Sequence, residues 1–99
     1  MEKENTKLMM LNAASLALDY LKKNPNADSE EVMKHVIKNT KADGEAKLAG
    51  IAAANHVIKF KEKNWKATQK HVMQDLSNSM SNILESIESQ NEDEEMLNL

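Results

Sequence analysis

Histidine is the residue type in this chain best suited to bind a metal ion or to transfer protons near neutral pH. The chain contains three, His35, His56 and His71, which lie 21 and 15 residues apart. Metal-binding histidine pairs on one helix are spaced about four residues apart, so none of these forms a local site. Glu31 and Asp75 lie one turn from a histidine, as ordinary helix-face pairs do. We therefore expect no metal and no cofactor, and we interpret His56, in an apolar segment, as a core histidine with a hydrogen-bond partner.

Other catalytic arrangements are also missing from the sequence. The chain has no cysteine, which excludes disulfides, thiolate metal sites and cysteine nucleophiles. Its two glycines are isolated and cannot form a phosphate-binding loop, and no serine stands in a nucleophile-elbow motif. Paired carboxylates occur at Glu30-Glu31 and near the carboxyl end, where we expect them to be exposed. We therefore predict that the protein is not an enzyme.

Helices would have to position any site in this chain. The composition is typical of an all-α protein, since the chain has only two glycines and one proline and few runs of β-branched residues. Ninety-nine residues suffice for one core, built from Leu, Ile, Val, Ala and seven Met because aromatic residues make up only 3%. The most apolar segment, Ala46–Phe60, is expected to be the central helix. We predict a small four-helix bundle-like domain over residues 1–89, with helices near 4–23, 29–39, 42–62 and 65–89.

The helix boundaries follow from local signals of unequal strength. The clearest is Asn24-Pro25-Asn26, because proline cannot donate the helical hydrogen bond and restricts the residue before it. Asp28 or Ser29 caps the second helix, and Glu31 stands three residues after Asp28 as in a capping box. Residues 42–89 form either one long helix or two. We favour a break at Asn64-Trp65.

Charge is strongly segregated along the chain. Its net value is −3, but residues 34–70 contain nine lysines and three acids, whereas residues 71–99 contain seven acids and no lysine. This pattern fits solvated helix faces, folding of the acidic end over the basic middle, or antiparallel pairing of two chains. Residues 90–99 begin with a charge run that cannot be buried, and we predict a disordered acidic tail.

The last helix has the most regular apolar repeat. Spacings of three and four residues are typical of the a and d positions of a heptad seam, which packs either within a bundle or against a partner helix. We therefore predict a non-enzymatic protein–protein interaction module, an adaptor or regulator, that forms a homodimer through its last helix. The predicted partner-binding residues are Met73, Leu76, Met80, Ile83 and Ile87.

Nucleic-acid binding is the alternative function. The second helix, the following turn and the central helix resemble a helix-turn-helix in outline, and lysines supply attraction for phosphate. The central helix is too apolar to read bases, and the chain has no arginine, so only non-specific backbone contact is expected. The lysines predicted for it are Lys34, Lys38, Lys41, Lys59, Lys61, Lys63, Lys66 and Lys70.

A membrane location is not expected. The sequence has no run of eighteen apolar residues, so no segment is predicted to span a bilayer. The apolar segment Leu8–Leu18 follows acidic as well as basic residues and lacks a small-residue cleavage motif, so it does not fit a signal peptide. We expect a cytoplasmic protein.

Overall fold

A computed structural model describes the backbone of residues 2–97 and the side chains of residues 5–87. The described chain forms four α-helices and no strand, which confirms the predicted all-α bundle. The helices are α1 (Glu2–Lys23), α2 (Ser29–Asn39), α3 (Gly44–Lys63) and α4 (Gln69–Leu97).

Most predicted boundaries agree with these helices. α2 has the predicted bounds, and the expected break near Asn64 separates α3 from α4. α3 begins at Gly44, two residues later than predicted, and Asp43 occupies the N-cap position without a side-chain capping hydrogen bond. α4 begins at Gln69, four residues later than predicted, because Thr68 caps it in the way described below, and it ends at Leu97, eight residues later than predicted. The structure does not test the predicted disordered tail, residues 90–99, whose side chains lie outside the described residues.

The two helical hairpins, α1–α2 and α3–α4, have equivalent turns at a spacing of 40 residues, although α4 continues well beyond the equivalent of the last residue of α2. α1 and α3 end at Lys23 and Lys63, and α2 and α4 begin at Ser29 and Gln69. The burial of residues 11–40 repeats in residues 51–80 at every position except two. Nine positions among residues 1–40 have the same residue 40 positions later: Lys7/Lys47, Leu8/Leu48, Ala13/Ala53, Ala14/Ala54, Lys23/Lys63, Asn24/Asn64, Ala27/Ala67, Val32/Val72 and Met33/Met73. The chain is therefore a tandem repeat of one hairpin.

The most extensive contact between helices joins α1 to α3, which belong to different hairpins. The two helices lie close together at Gly50, where an added Cβ atom would be in ordinary contact, 3.4 Å from the Cβ of Ala13 and 3.6 Å from the carbonyl oxygen of Met9. Near their other ends, Leu18 of α1 and Ile58 of α3 line one cleft. α1 and α3 therefore run parallel, and an approximate two-fold axis between them relates the two hairpins.

One hydrophobic core serves all four helices. Its centre is made largely of alanines from α1 and α3. Two valines of α2 close it on one side, and Val72 with larger side chains such as Leu76 and Met80 of α4 closes it on the other. Buried alanine, valine and leucine have few rotamers to lose, so a core with few aromatics still orders the helices. Among the described residues, no buried side-chain polar atom lacks a hydrogen-bond partner.

Candidate binding cleft between the two hairpin turns

The two hairpin turns are built by equivalent hydrogen bonds. The backbone N–H of Asn24 donates to the carbonyl of Tyr20 at 2.8 Å, and its side-chain amide donates to the same oxygen at 3.2 Å. Asn64 makes the same two bonds to Phe60, at 2.9 and 3.1 Å. The N–H three residues after each asparagine donates back to its carbonyl, at 3.0 and 2.9 Å. These bonds satisfy carbonyl groups that a helix end leaves without partners.

Equivalent side chains cap the helices that follow the turns. The carboxylate of Asp28 accepts from the N–H of Glu31 at 2.8 Å, and the hydroxyl of Thr68 accepts from the N–H of His71 at 3.2 Å. Asp28 is therefore the cap of α2. The predicted capping box is only half formed, because the Glu31 carboxylate accepts a 2.6 Å hydrogen bond from the Tyr20 hydroxyl.

The turns lie side by side and enclose an open cleft of about 820 Å³. This follows from the parallel course of α1 and α3, which brings both helix ends to the same end of the molecule. Every residue that lines the cleft has its equivalent in the other hairpin on the opposite wall. The pairs are Leu18/Ile58, Leu21/Lys61, Lys22/Glu62, Pro25/Trp65, Ala27/Ala67, Asp28/Thr68 and Ser29/Gln69.

Trp65 gives the cleft its largest exposed apolar side chain. It is 72% exposed, although the cleft beside it reaches core residues Leu18 and Ile58, which are 6% and 2% exposed. The ammonium of Lys66 lies 5.0 Å from the centre of the indole ring, within range of a cation–π contact. An indole left in water beside apolar walls is a surface suited to burial against a partner.

Lys61 fixes the backbone that carries this tryptophan. Its ammonium donates to the carbonyl of Trp65 at 3.0 Å and to that of Ala67 at 2.6 Å. The equivalent residue in the first hairpin is Leu21, which makes no such bonds. The second turn is therefore held by two hydrogen bonds that the first turn lacks, and the ammonium of Lys61 binds backbone carbonyls of its own turn.

The two segments that flank the cleft differ in net charge. We define the first lip as residues 19–31 and the second lip as residues 59–71. The first lip contains four acids and two lysines, and the second contains five lysines and one glutamate. Equivalent positions reverse sign at Asp19/Lys59, Lys22/Glu62 and Glu30/Lys70. Inside the cleft each wall has one cation and one anion, Lys22 with Asp28 and Lys61 with Glu62, so the excess charge of each lip lies outside the cleft lining.

The last-helix residues predicted to bind a partner lie in the core of a single copy. Leu76 is fully buried, and Met80 and Ile87 are 6% and 8% exposed. Met73 and Ile83 are partly buried and pack against the same core. The seam is therefore covered by the chain's own helices, which removes the reason for assigning it to a partner.

The lysines predicted for nucleic-acid contact fall into two groups. Lys34, Lys38 and Lys41 follow α2 away from the cleft, and Lys34 lies 3.6 Å from the Glu30 carboxylate. The other five lie on the second lip, where the structure brings them together. Since α2 leads toward the opposite end of the molecule, the eight lysines do not form one continuous surface.

The histidines help to hold helices together. His56 Nε2 lies 2.7 Å from the Asp75 carboxylate, which joins α3 to α4 at the edge of the core, and both side chains are about one-third exposed. His35 stacks on Tyr20 with ring centres 4.5 Å apart. His56 therefore has the partner we expected. Among the described residues, no three His, Asp or Glu side chains are grouped to hold a metal ion.

No protein-family model, curated protein or solved structure matches this chain. Within the part of the chain that the structure describes, no helix combines the length and apolar character needed to cross a bilayer. The cleft is therefore the feature from which a function can be proposed. No sequence prediction pointed to it, although the 40-residue repeat is a signal that places the two turns in equivalent positions.

Proposed function

We propose that the protein is a small non-enzymatic protein–protein interaction module that binds a partner in the cleft between its hairpin turns. The observation that carries this proposal is the 72% exposed indole of Trp65 at the rim of an apolar cleft. Burying apolar surface contributes about 25 cal/mol per Å², and tryptophan is among the residues that dominate binding energy at protein interfaces.

The second lip supports this proposal because its backbone is already ordered before binding. The bonds from Lys61 to the carbonyls of Trp65 and Ala67 hold the turn, and Asn64 ends α3 with two bonds to Phe60. Association therefore immobilises little beyond the indole side chain. A binding surface ordered in advance loses less conformational entropy on association than a flexible loop.

Selection of peptides from a random library on the full-length protein tests this function. We expect the selected peptides to bind wild-type protein and to lose at least about tenfold in affinity with Trp65→Ala, measured by fluorescence anisotropy. Leu48→Ala is the matched control, because Leu48 is 54% exposed but lies near the start of α3, away from the cleft. Peptides that bind the Trp65→Ala protein as tightly as wild type would contradict the proposal.

Nucleic-acid binding is the second candidate, and one observation favours it. The second lip combines five lysines with an exposed indole, and basic grooves with aromatic side chains bind single strands by stacking. The first lip has a net negative charge, four acids against two lysines, which repels phosphate. Electrophoretic mobility of single-stranded and duplex DNA at low salt tests this candidate. Absence of a complex even at low salt would exclude it.

A further inference from the structure

We propose that the partner in the cleft is a second copy of this chain, docked head to head so that Trp65 of each copy enters the cleft of the other. This inference rests on the proposed function of the cleft as an interaction surface. It follows from three features of the two lips: their approximate symmetry, their opposite charge, and the different side chains at equivalent positions.

The internal symmetry limits how two copies can meet at their clefts. An approximate two-fold axis passes between α1 and α3 and through the cleft. A second copy can face the cleft across a true two-fold axis perpendicular to the internal one. Two directions of that axis bring each lip opposite a lip of the partner. Either like lips face each other, or the first lip of each copy faces the second lip of the other.

Charge selects the second pairing. The first lip has a net charge of −2 and the second a net charge of +4, so pairing of like lips brings together segments whose net charges have the same sign. Pairing of unlike lips brings together net charges of opposite sign at both contacts. One two-fold axis satisfies both contacts at once, as in an isologous dimer. Complementary charge of this kind fixes the orientation of a complex.

The side chains at equivalent positions fit the same pairing. Trp65 projects from the second lip, and its equivalent on the first lip is the smaller Pro25. Beside it, the first lip has Leu21 where the second has Lys61. The first lip therefore offers an apolar surface with room for an indole, while the second supplies the indole. Unlike lips match in shape as well as in charge.

A nucleic acid or an acidic peptide would interact with the two lips differently from a second copy of the chain. Either ligand is attracted by the second lip and repelled by the acids of the first. Charge reversal on the two lips therefore has opposite effects on such a ligand. In a head-to-head dimer, charge reversal on either lip alone has the same effect, which is loss of association.

Sedimentation velocity over a concentration series of the full-length chain at low salt tests the dimer. We expect wild-type protein to dimerise, and the emission of its only tryptophan to shift to shorter wavelength as the concentration rises. Glu30→Lys and Lys70→Glu alone are each expected to weaken association about tenfold, since each change occurs in both contacts. The double variant exchanges the two charges and is expected to restore association.

Further variants separate loss of binding from loss of folding. Trp65→Ala is expected to be monomeric with unchanged far-ultraviolet circular dichroism, and Leu48→Ala is expected to dimerise as wild type does. A wild-type chain that stays monomeric at millimolar concentration overturns the inference, as does failure of the double variant to regain association. If library peptides still bind at Trp65 in that case, the proposed function stands and only the second copy is excluded.

Discussion

The two glycines of this chain have opposite physical roles. Gly44 begins α3 with a φ angle of +61°, a conformation that costs other residues about 1–2 kcal/mol. Gly50 lies inside α3 with ordinary helical geometry, and a Cβ there would meet its neighbours at 3.4 Å or more, in normal van der Waals contact. Alanine at the two positions is therefore expected to change stability in opposite directions.

We expect Gly44→Ala to lower the free energy of unfolding by about 1 kcal/mol. We expect Gly50→Ala to raise it by about 0.5–1 kcal/mol, because a glycine inside a helix is more flexible when unfolded. Urea denaturation measures both. Gly44→Asn is the control for backbone conformation, since asparagine tolerates positive φ better than alanine does. Stabilisation by Gly44→Ala would contradict the structure of this turn.

Tyr20 is the one tyrosine of the chain, so its ionisation can be followed without interference. The hydrogen bond to Glu31, then loss of water, then the negative charge of that carboxylate raise the pKa of Tyr20 above its ordinary value. A raised pKa in the folded state means that the neutral phenol stabilises the fold. That stabilisation is complete below pH about 10 and is lost as pH rises through the folded pKa.

We expect the tyrosinate absorbance of the native protein to develop at higher pH than that of the urea-unfolded chain. Glu31→Gln keeps a hydrogen-bond acceptor but removes the charge, so it is expected to lower the folded pKa toward the ordinary value. Lys34→Gln, one turn farther along α2, is the control for a general change in surface charge. Equal titration of Tyr20 in the native and unfolded chains would exclude the hydrogen bond.

At the scale of elements, the repeated hairpins permit a direct comparison of two helix caps. Asp28 caps α2 at 2.8 Å and Thr68 caps α4 at 3.2 Å. The first turn of α2 also contains Glu30 and Glu31, whereas the first turn of α4 contains no acid. Aspartate is the better cap, and negative charge favours the amino end of a helix. α4 is therefore the less well capped helix.

We expect Asp28→Ala to lower the free energy of unfolding by about 1 kcal/mol, and Thr68→Ala to lower it by less. We expect Thr68→Asp to raise it by about 0.5 kcal/mol, because it adds both a better acceptor and a charge. Thermal and urea denaturation measure these changes. Thr68→Asn is the control that improves the acceptor without adding charge. A destabilised Thr68→Asp protein would show that Thr68 does not act as a cap.

The sequence predicts the elements well where their signals are local. Pro25 and Asp28 define the first turn within a few residues, so the end of α1 and the start of α2 are correct. Heptad spacing correctly shows which face of α4 is apolar. It does not show what covers that face, because the covering residues come from distant parts of the chain. The seam was therefore assigned to a partner although Leu76 is fully buried in one copy.

At the scale of the whole molecule, the cleft depends on an arrangement that local patterns do not contain. It forms because α1 and α3 run parallel and end at the same level, which places Pro25 and Trp65 on opposite walls. Buried alanines on both helices allow them to approach. Small residues predict close packing without saying which helices meet. The 40-residue repeat supplies that information, but its shared residues are mostly common types and are scattered along the chain.

The packing of α1 on α3 has a consequence for how the chain folds. Each hairpin brings its own pair of helices together, but the most extensive contact lies between hairpins. An isolated hairpin therefore leaves the largest part of its apolar surface in water. Fragments 1–41 and 42–99, divided between α2 and α3, are expected to be mostly unfolded when separate. When mixed, they are expected to regain helical circular dichroism and unfold cooperatively.

A matched pair of lysine substitutions tests whether the α1–α3 contact is what restores helical structure when the two fragments are mixed. Ala13 is 1% exposed and lies where it would touch a Cβ at position 50, whereas its neighbour Asn12 is exposed. We expect Ala13→Lys in fragment 1–41 to prevent recovery, because a charged side chain would enter the centre of the α1–α3 contact. Asn12→Lys is expected to leave recovery unchanged. A fragment 1–41 that is fully helical and unfolds cooperatively alone would show instead that each hairpin is stable by itself.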